Sequence, residues 1–585
     1  MSRRHPGRRR FRPDWRCYFP IASWLPGYRG AHFREDLLAA VVVTVILIPQ
    51  SLAYALLAGL PPEAGLYASI LPLMAYTVFG TSNSLSVGPV AIISLLTATA
   101  IGRLGLVDPA QVMAAAILLA MMTGLFLILL GILRLGLLAN LLSHPVISGF
   151  VAASALLIAL GQIPGLFGFS AGSQNLLTLL PALATGLLDV VAMPNWPTLT
   201  VGLGTLIYLF WTRYALEPLL VRWGAAARTA AMVARASPVL AVVAGSVCAW
   251  AFDLADKGLA VVGHVPAGLR MPGLPDVPVA QWGALSGSAA LIGVLIFVES
   301  ISVAQGLAAR RRQRIDPDQE LIGLGAANVA SSLAGGFPVA GGFSRSVVNF
   351  QAGAATPAAG FYAALLMIVV ALLLLPYLAW LPMATLSALI ITAVWSLVDI
   401  SIVRKAWRYS RADFIAVVAT LALTLLVGVE AGVAAGILVS VVIHFYKSAR
   451  PHVAIVGAVP GTEHYRNMRR HNVMTYDHIL SLRVDRSLYF VNTRYLEDVI
   501  YREVAERPDL KHVILVCSSV NEIDLSALET LELINSRLGE LNVQLHLSEV
   551  KGPVMDRLQR SDFLQVLTGR VHLSQHQAMQ WLLNS

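Results

Sequence analysis

A series of apolar runs, each long enough to cross a bilayer, constrains this chain more than any other feature. The runs fall at roughly 36–58, 63–80, 109–133, 137–161, 197–215, 237–254, 284–308, 316–334, 357–380, 382–398, 412–428 and 430–449. A spanning helix needs about 20 apolar residues. In lipid every backbone polar group must be satisfied within the segment, so runs of this kind predict an α-helical polytopic membrane protein. Composition agrees, with 57% hydrophobic residues, 13% charged residues and a mean hydropathy of +0.70. A soluble domain carries about 25% charged residues. Two further runs, roughly 88–101 and 342–355, are too short to span, and each follows a Gly or Pro break. Counting them predicts fourteen segments. The stretch 173–192 is apolar but interrupted by Pro181 and lacks charged flanks, which reads as an interfacial helix.

Charge sets the orientation. With the N-terminus inside, the inside loops carry Arg134; Arg213, Arg222, Arg228 and Arg235; Arg310, Arg311, Arg312 and Arg314; Arg404, Lys405, Arg408 and Arg411; and Lys447 and Arg450. The outside loops carry Arg103, Lys257 and Arg270. This asymmetry follows the positive-inside rule, and an even number of segments places the C-terminus inside as well. The basic N-terminus (Arg3, Arg4, Arg8, Arg9, Arg10, Arg12, Arg16) precedes a first apolar run long enough to be a retained helix and not a signal peptide. The net charge of +9 lies mostly in short loops beside apolar runs, so it argues for membrane orientation and against nucleic-acid binding. The three cysteines, Cys17, Cys248 and Cys517, are too far apart for a disulfide framework or a zinc motif.

The two halves of the apolar region resemble each other. Pro49-Gln50-Ser51-Leu52-Ala53-Tyr54 lies in the first run and Val298-Glu299-Ser300-Ile301-Ser302-Val303 in a corresponding later one. Each is followed by a turn, at Pro61-Pro62-Glu63 or Asp316-Pro317-Asp318, and then by another helix. Each half then has a short broken helix, after Ser86-Val87-Gly88-Pro89-Val90 in one and at Gly342-Phe343-Ser344-Arg345 in the other. Seven segments per half give a 7+7 inverted repeat with two half-helices meeting near the midplane, which is where secondary transporters bind substrate. The first half-helix is expected to begin at Gly88-Pro89, because Pro tolerates a helix start.

Arg345 follows a Gly–Gly pair and Ser344 between apolar walls. An arginine at membrane depth costs at least ~2.5–3.5 kcal/mol, so it marks a functional site. At a helix start its charge adds to the dipole and to free N–H groups, which suits an anion. Gln50 and Tyr54 stand one turn apart on one face of the first run, where they could donate hydrogen bonds to an oxyanion or join two helices. Glu299 lies mid-span, where a carboxylate must be paired, hydrated or protonated. It reads as a proton carrier, as a salt-bridge partner for Arg345, or as a sodium ligand with Ser300 and Ser302. Gly323-Leu324-Gly325-Ala326-Ala327-Asn328 nearly matches a dinucleotide fingerprint but lies inside an apolar helix with no strand before it, so it is rejected. Glu430 is expected in a turn between the last two runs, and Asp399 at the end of a span. No cofactor, metal, kinase, protease or triad motif is present, so an enzyme reading has little support.

From about Val453 the chain has ordinary charge density. Ile479–Val484 and Val513–Cys517 read as strands, and Tyr495–Glu506, Ser526–Leu538 and Gly552–Ser561 as helices, which predicts a small α/β domain.

These residues resemble the sulfate permease family of anion transporters, which end in a STAS domain. The matching motifs are Ile48-Pro49-Gln50-Ser51-Leu52-Ala53-Tyr54-Ala55, Val87-Gly88-Pro89-Val90-Ala91, Phe297-Val298-Glu299-Ser300-Ile301 and Gly342-Phe343-Ser344-Arg345-Ser346. The resemblance covers nearly the whole chain from about Glu35. It implies a homodimer with core and gate domains drawn from both repeats and an elevator-like motion. It also implies an anion site at Gly88, Pro89, Phe343, Ser344 and Arg345, with Gln50 and Tyr54 beside it, and proton coupling through Glu299. Ile523-Asp524-Leu525-Ser526-Ala527-Leu528 resembles the STAS loop before a helix, but Leu525 stands where that pattern has a phosphorylatable hydroxyl. Phosphorylation there is excluded chemically, and the domain's role is expected to be packing or binding a cytoplasmic protein partner. Asp524 and Ser526 are expected to cap the helix.

The expected organisation is a basic cytoplasmic N-terminus (1–35), a transmembrane transport domain (36–450) and a cytoplasmic STAS domain (453–585). The expected function is proton-coupled uptake of an inorganic oxyanion, sulfate first, across the plasma (inner) membrane, without a cofactor. A dicarboxylate or bicarbonate transporter of the same fold, an uncoupled anion channel, and a membrane signalling protein working through its STAS domain are the alternatives.

Overall fold

Seven helices among the described residues of this computed structural model are long and apolar enough to cross a membrane by length and composition. The structure describes residues 18–137, 144–169, 175–263, 279–373 and 379–584. The arginines from Arg3 to Arg16, Cys17, Arg270, and the parts of the 137–161, 173–192 and 357–380 runs at 138–143, 173–174 and 374–378 lie outside them.

The chain divides into two compact units, residues 1–440 and 441–585. In the first unit most apolar runs are helices. Examples are Gly30–Leu57, Pro109–Ile132, Val279–Arg310, Pro317–Leu333 and Ala358–Leu373. Two runs have breaks or bends at or near prolines. The 63–80 run is two short helices, Pro62–Tyr67 and Leu71–Phe79, because Pro72 has no N–H to continue the ladder. The 173–192 run is a helix, Leu176–Ala192, that continues through Pro181 and meets Trp196–Arg222 at a bend of 118°.

Small residues bring the helices together. Helices Pro109–Ile132 and Pro317–Leu333 meet at Gly124 and Gly325, where a methyl group on either would lie 2.7 Å from the other's carbonyl oxygen. The near-fingerprint glycines are therefore helix-packing residues. Two fully buried carboxylates that the sequence reading passed over tie distant segments. Glu320 accepts from Tyr76 Oη (2.8 Å) and Thr81 N (2.7 Å), and Asp36 accepts from Ala355 N (2.7 Å), Thr356 N (3.0 Å) and Thr356 Oγ1 (2.6 Å). Removing either would leave buried donors unpaired, the Tyr76 hydroxyl at Glu320 and the Thr356 N–H at Asp36.

The second unit holds a six-stranded sheet in the order Tyr465–Asn467, Val453–Ala458, Ile479–Val484, His512–Val516, Gln544–Ser548, Val571–His572. Val453–Ala458 runs antiparallel to both of its neighbours, Tyr465–Asn467 and Ile479–Val484, and the remaining three pairings are parallel, with helices between them as the alternation predicts. Asp524 caps the helix Leu525–Glu540 by accepting from Ala527 N (2.8 Å), and Leu525 is exposed.

Candidate functional site

Two short strands build the centre of the first unit. Val87–Gly88 pairs antiparallel with Ala340–Gly341, with Val87 opposite Gly341 and Gly88 opposite Ala340. Because the ladder is only two residues long and antiparallel, the helices that follow it leave in opposite directions with their N-termini close together. They are Ala91–Gly102 and Phe343–Ala352. The first starts later than Gly88-Pro89: Gly88 is held extended by the pairing, so helical geometry begins at Ala91. The second starts at Phe343 with Gly342 as its N-cap.

Buried side chains fix this crossing. Asn328 brackets Val339, donating from Nδ2 to its carbonyl (3.0 Å) and accepting its N–H at Oδ1 (2.9 Å). Ser331 Oγ donates to the carbonyl of Phe337 (2.7 Å). Ser300 Oγ accepts the N–H of Gly341 (2.9 Å), and Ser346 Oγ accepts the N–H of Ser86 (3.0 Å). Asn349 Nδ2 donates to the carbonyl of Ser84 (3.1 Å). Of these, Ser300 and Ser346 stand in the motifs named above, and Asn328 ends the rejected fingerprint. The others look like ordinary polar residues in apolar helices until the strands are paired.

Arg345 is 2% exposed. Its Nη1 donates to the carbonyl of Pro89 (2.6 Å) and to Gln50 Oε1 (3.3 Å). Its Nε and Nη2 are buried and find no acceptor among the described residues. Gly88 and Gly342 give the guanidinium room: a methyl group would lie 3.3 Å from Nη2 at Gly88, and 2.9 Å from Nη2 at Gly342. The site thus combines two helix N-termini, whose first N–H groups have no intrahelical partner, with a cation that has two N–H-bearing nitrogens unspent. That arrangement is suited to an oxyanion.

A cavity of about 290 Å³ opens beside it. Gln50, Tyr54 and Ser344 line it, together with Pro49, Arg213, Glu217 and Arg235. Gln50 therefore faces the cavity and also holds Arg345. Arg213 Nη1 donates to the carbonyl of Thr392 (2.6 Å) from a π-helical turn, Thr212–Leu216. Phe343 is 59% exposed and is not among the lining residues.

Glu299 is partly buried and close enough to Arg345 and Tyr54 to interact with them electrostatically. Among the described residues, no cationic nitrogen lies within 4.0 Å of its carboxylate, so a direct Arg345–Glu299 salt bridge is not formed. Ser300 Oγ is engaged with Gly341, and Ser302 Oγ donates to the carbonyl of Val298 (2.6 Å). Glu430, in the first turn of Val429–Ala449, pairs with Arg103 just past the end of the first half-helix. Asp399 accepts from Ser401 N (2.8 Å), the first residue of a short helix, Ser401–Tyr409. Among the described residues no cluster of three or more His, Cys, Asp or Glu could hold a metal ion.

Comparison with known proteins places this geometry. Residues 33–420 match the sulfate permease family and residues 470–578 match the STAS domain. The chain is 34% identical to "Sulfate transporter 4.1, chloroplastic" of Arabidopsis thaliana over 568 residues, which is 95% of this chain and 81% of that protein. It is 32% identical over 565 residues to a protein of Mycobacterium tuberculosis named "Probable sulfate transporter", covering 94% of this chain and 96% of that one. Among solved structures, the murine solute carrier 26 family member A9 anion transporter in the inward-facing state superposes with a TM-score of 0.86 at 22% identity. That match covers 100% of this chain and 97% of the other. The transmembrane domain of a cyanobacterial bicarbonate transporter superposes with a TM-score of 0.59 at 23% identity, over 70% of this chain and 98% of the other. At these identities the structural matches speak for the fold. The paired half-helices, the sequence match over most of the apolar unit and the STAS match over the second unit lead to one conclusion: the chain is a multi-pass membrane protein that belongs to the sulfate permease family of transporters.

Proposed function

We propose that this protein is a secondary active anion transporter that takes up sulfate together with protons. The observation that carries the reading is Arg345, buried at the meeting of two half-helix N-termini with Nε and Nη2 unspent. Sulfate offers oxygens to both nitrogens and to the free N–H groups in front of Ser344. Gln50 and Tyr54 border the cavity through which it would arrive, and Gly88 and Pro89 lie against the Arg345 guanidinium. Phe343, at the first helical position and largely exposed, is assigned to the rim of the site. The names of the relatives in Arabidopsis and Mycobacterium support sulfate as the first substrate to test.

Glu299 is the proton carrier in this reading. With a divalent anion bound and Glu299 ionised, the moving site would hold three negative charges against Arg345. Protonation removes one of them and most of the desolvation cost of the carboxyl. The transport domain is assigned to residues 36–450 and the STAS domain to 453–585, with both termini cytoplasmic. The two halves of a homodimer would each move anion by an elevator-type shift of the half-helix pair against the rest of the membrane unit. The deciding experiment is radiolabelled sulfate uptake by the purified full chain in liposomes, with an inward proton gradient imposed and sodium absent. Saturable, gradient-driven accumulation is expected. Uptake that requires sodium, or that favours bicarbonate or dicarboxylates over sulfate, would contradict it.

A further inference from the structure

The second compact unit carries a basic cleft unconnected with the transport chemistry above. Its edge strand, Tyr465–Asn467, pairs antiparallel with Val453–Ala458, placing Arg466 opposite Gly457. The chain then turns tightly. The N–H groups of Arg470 and His471 both donate to the carbonyl of Asn467 (3.0 and 3.1 Å), and Arg469 N donates to Asn467 Oδ1 (2.8 Å). This turn sets Arg470 and His471 around a cleft of about 320 Å³ that Arg466, Arg483, His452 and Asp485 also line.

One wall of the cleft is already satisfied. Asp485 accepts from Arg483 Nε (2.6 Å) and pairs with His452 Nδ1 (2.7 Å). Partial burial alone would raise the Asp485 carboxyl, but Arg483 and His452 hold it below the usual carboxylate range, so it stays ionised and is already neutralised. Arg466 and Arg470 are exposed, and no carboxylate lies within 4.0 Å of either among the described residues. The three arginines against one aspartate leave a net positive charge of two before either histidine is counted. The volume is in the range of small-molecule sites and exceeds what one tetrahedral ion needs.

We propose that this cleft is a binding site for a phosphate-bearing anion, held by the guanidinium forks of Arg466 and Arg470. Planar forks match phosphate oxygens two at a time, which a surface lysine cannot do. Two sources share this chemistry. One is the headgroup of an anionic phospholipid: His452 is three residues past the end of the spanning helix Val429–Ala449, a reach of at most about 11 Å. The other is a soluble anion such as pyrophosphate.

The test uses the full-length chain. In one arm, inorganic pyrophosphate is titrated calorimetrically into protein in nanodiscs of neutral phosphatidylcholine. In the other, native mass spectrometry counts phosphatidylglycerol retained after extraction from mixed bilayers. Binding in the first arm assigns a soluble ligand, and retention in the second assigns a headgroup. In whichever arm is positive, Arg466→Gln/Arg470→Gln should weaken binding at least tenfold. Lys511→Gln/Arg560→Gln, which removes the same charge from exposed positions elsewhere in the unit, should not. Should the double variant fail to fold, Arg470→Gln alone, on its exposed turn, carries the same comparison. No binding in either arm, binding unaltered by loss of the arginines, or equal loss in the control variant would overturn the proposal.

Discussion

Arg345 Nη1 donates to the carbonyl oxygen of Pro89 across 2.6 Å, so a residue in the first turn of one half-helix is anchored to the loop that leads into the other. The two residues are 256 positions apart in sequence. The contact joins the two repeats at the point where their helix dipoles converge. It also spends one guanidinium nitrogen on the protein and leaves the remainder for a ligand.

The glycines beside the guanidinium should respond unequally to a methyl group. At Gly342 it would lie 2.9 Å from Nη2 and 3.0 Å from Cζ, forcing the guanidinium to move. At Gly88 it would lie 3.3 Å from Nη2, a few tenths of an ångström too close. Gly342→Ala is expected to raise the KM for sulfate roughly tenfold, in line with the cost of misplacing a positioning group. Gly88→Ala should raise it by less. Initial uptake rates across a sulfate titration give both values, and a larger effect at Gly88 would contradict the geometry.

Glu299→Gln imitates the protonated carboxyl. The variant should bind sulfate and exchange it across the membrane, yet gain nothing from an inward proton gradient. Uptake by the native protein should rise as external pH falls. Liposomes at matched and unmatched pH separate the two behaviours. If Glu299→Gln still accumulates sulfate on a proton gradient alone, the carboxyl is not the carrier.

Asn328→Leu should destabilise the membrane unit by about 1–3 kcal/mol, because it leaves the buried N–H and carbonyl of Val339 without their side-chain partner. The change would loosen the loop that enters the strand Ala340–Gly341, upstream of Arg345. A thermal melt in detergent measures the first effect and sulfate affinity the second. Unchanged values for both would show that the bracket is not needed.

In the STAS domain, His546 is fully buried beside His512 and His572. Its Nδ1 accepts from Arg570 N (3.1 Å), which places its proton on Nε2, 3.3 Å from His512 Nδ1. Burial first, then the neighbouring His512, His572 and Arg570, push His546 down to about 4. An unfolded histidine titrates near ~6.5, so between these values the unfolded state binds the extra proton. Stability is therefore full above pH ~6.5 and falls as pH drops toward 4, by on the order of 3 kcal/mol. Hydrogen exchange of Gln544–Ser548 in the full chain, corrected for intrinsic rates, should show protection lost from pH 7.5 to 5.5. His546→Gln should flatten the change.

Much of this architecture is legible in the sequence because lipid imposes simple rules. Apolar length marks the helices from Pro109 to Ile132 and from Val279 to Arg310 to within a few residues. Gly and Pro breaks mark both half-helices, and a lone intramembrane cation marks Arg345. What stays hidden is pairing across distance. Nothing local announces that Val87 will face Gly341, that Tyr76 will donate to Glu320, or that Asp36 will cap Thr356. The start of the first half-helix is misread for the same reason, since the constraint on Gly88 comes from Ala340. In the STAS domain the short strands Tyr465–Asn467 and Val571–His572 escape notice because two or three residues carry too little periodicity.

The account rests on Arg345 as the anion-binding cation, and sulfate uptake by Arg345→Ala and Arg345→Lys tests this most directly. Both variants are reconstituted at equal density, after a melt shows that each is folded. Arg345→Ala should lose saturable uptake altogether. Arg345→Lys should recover little of it, because an ammonium cannot hold Pro89 and present two further nitrogens in one plane. Sulfate uptake with native KM and rate in folded Arg345→Ala would contradict the account.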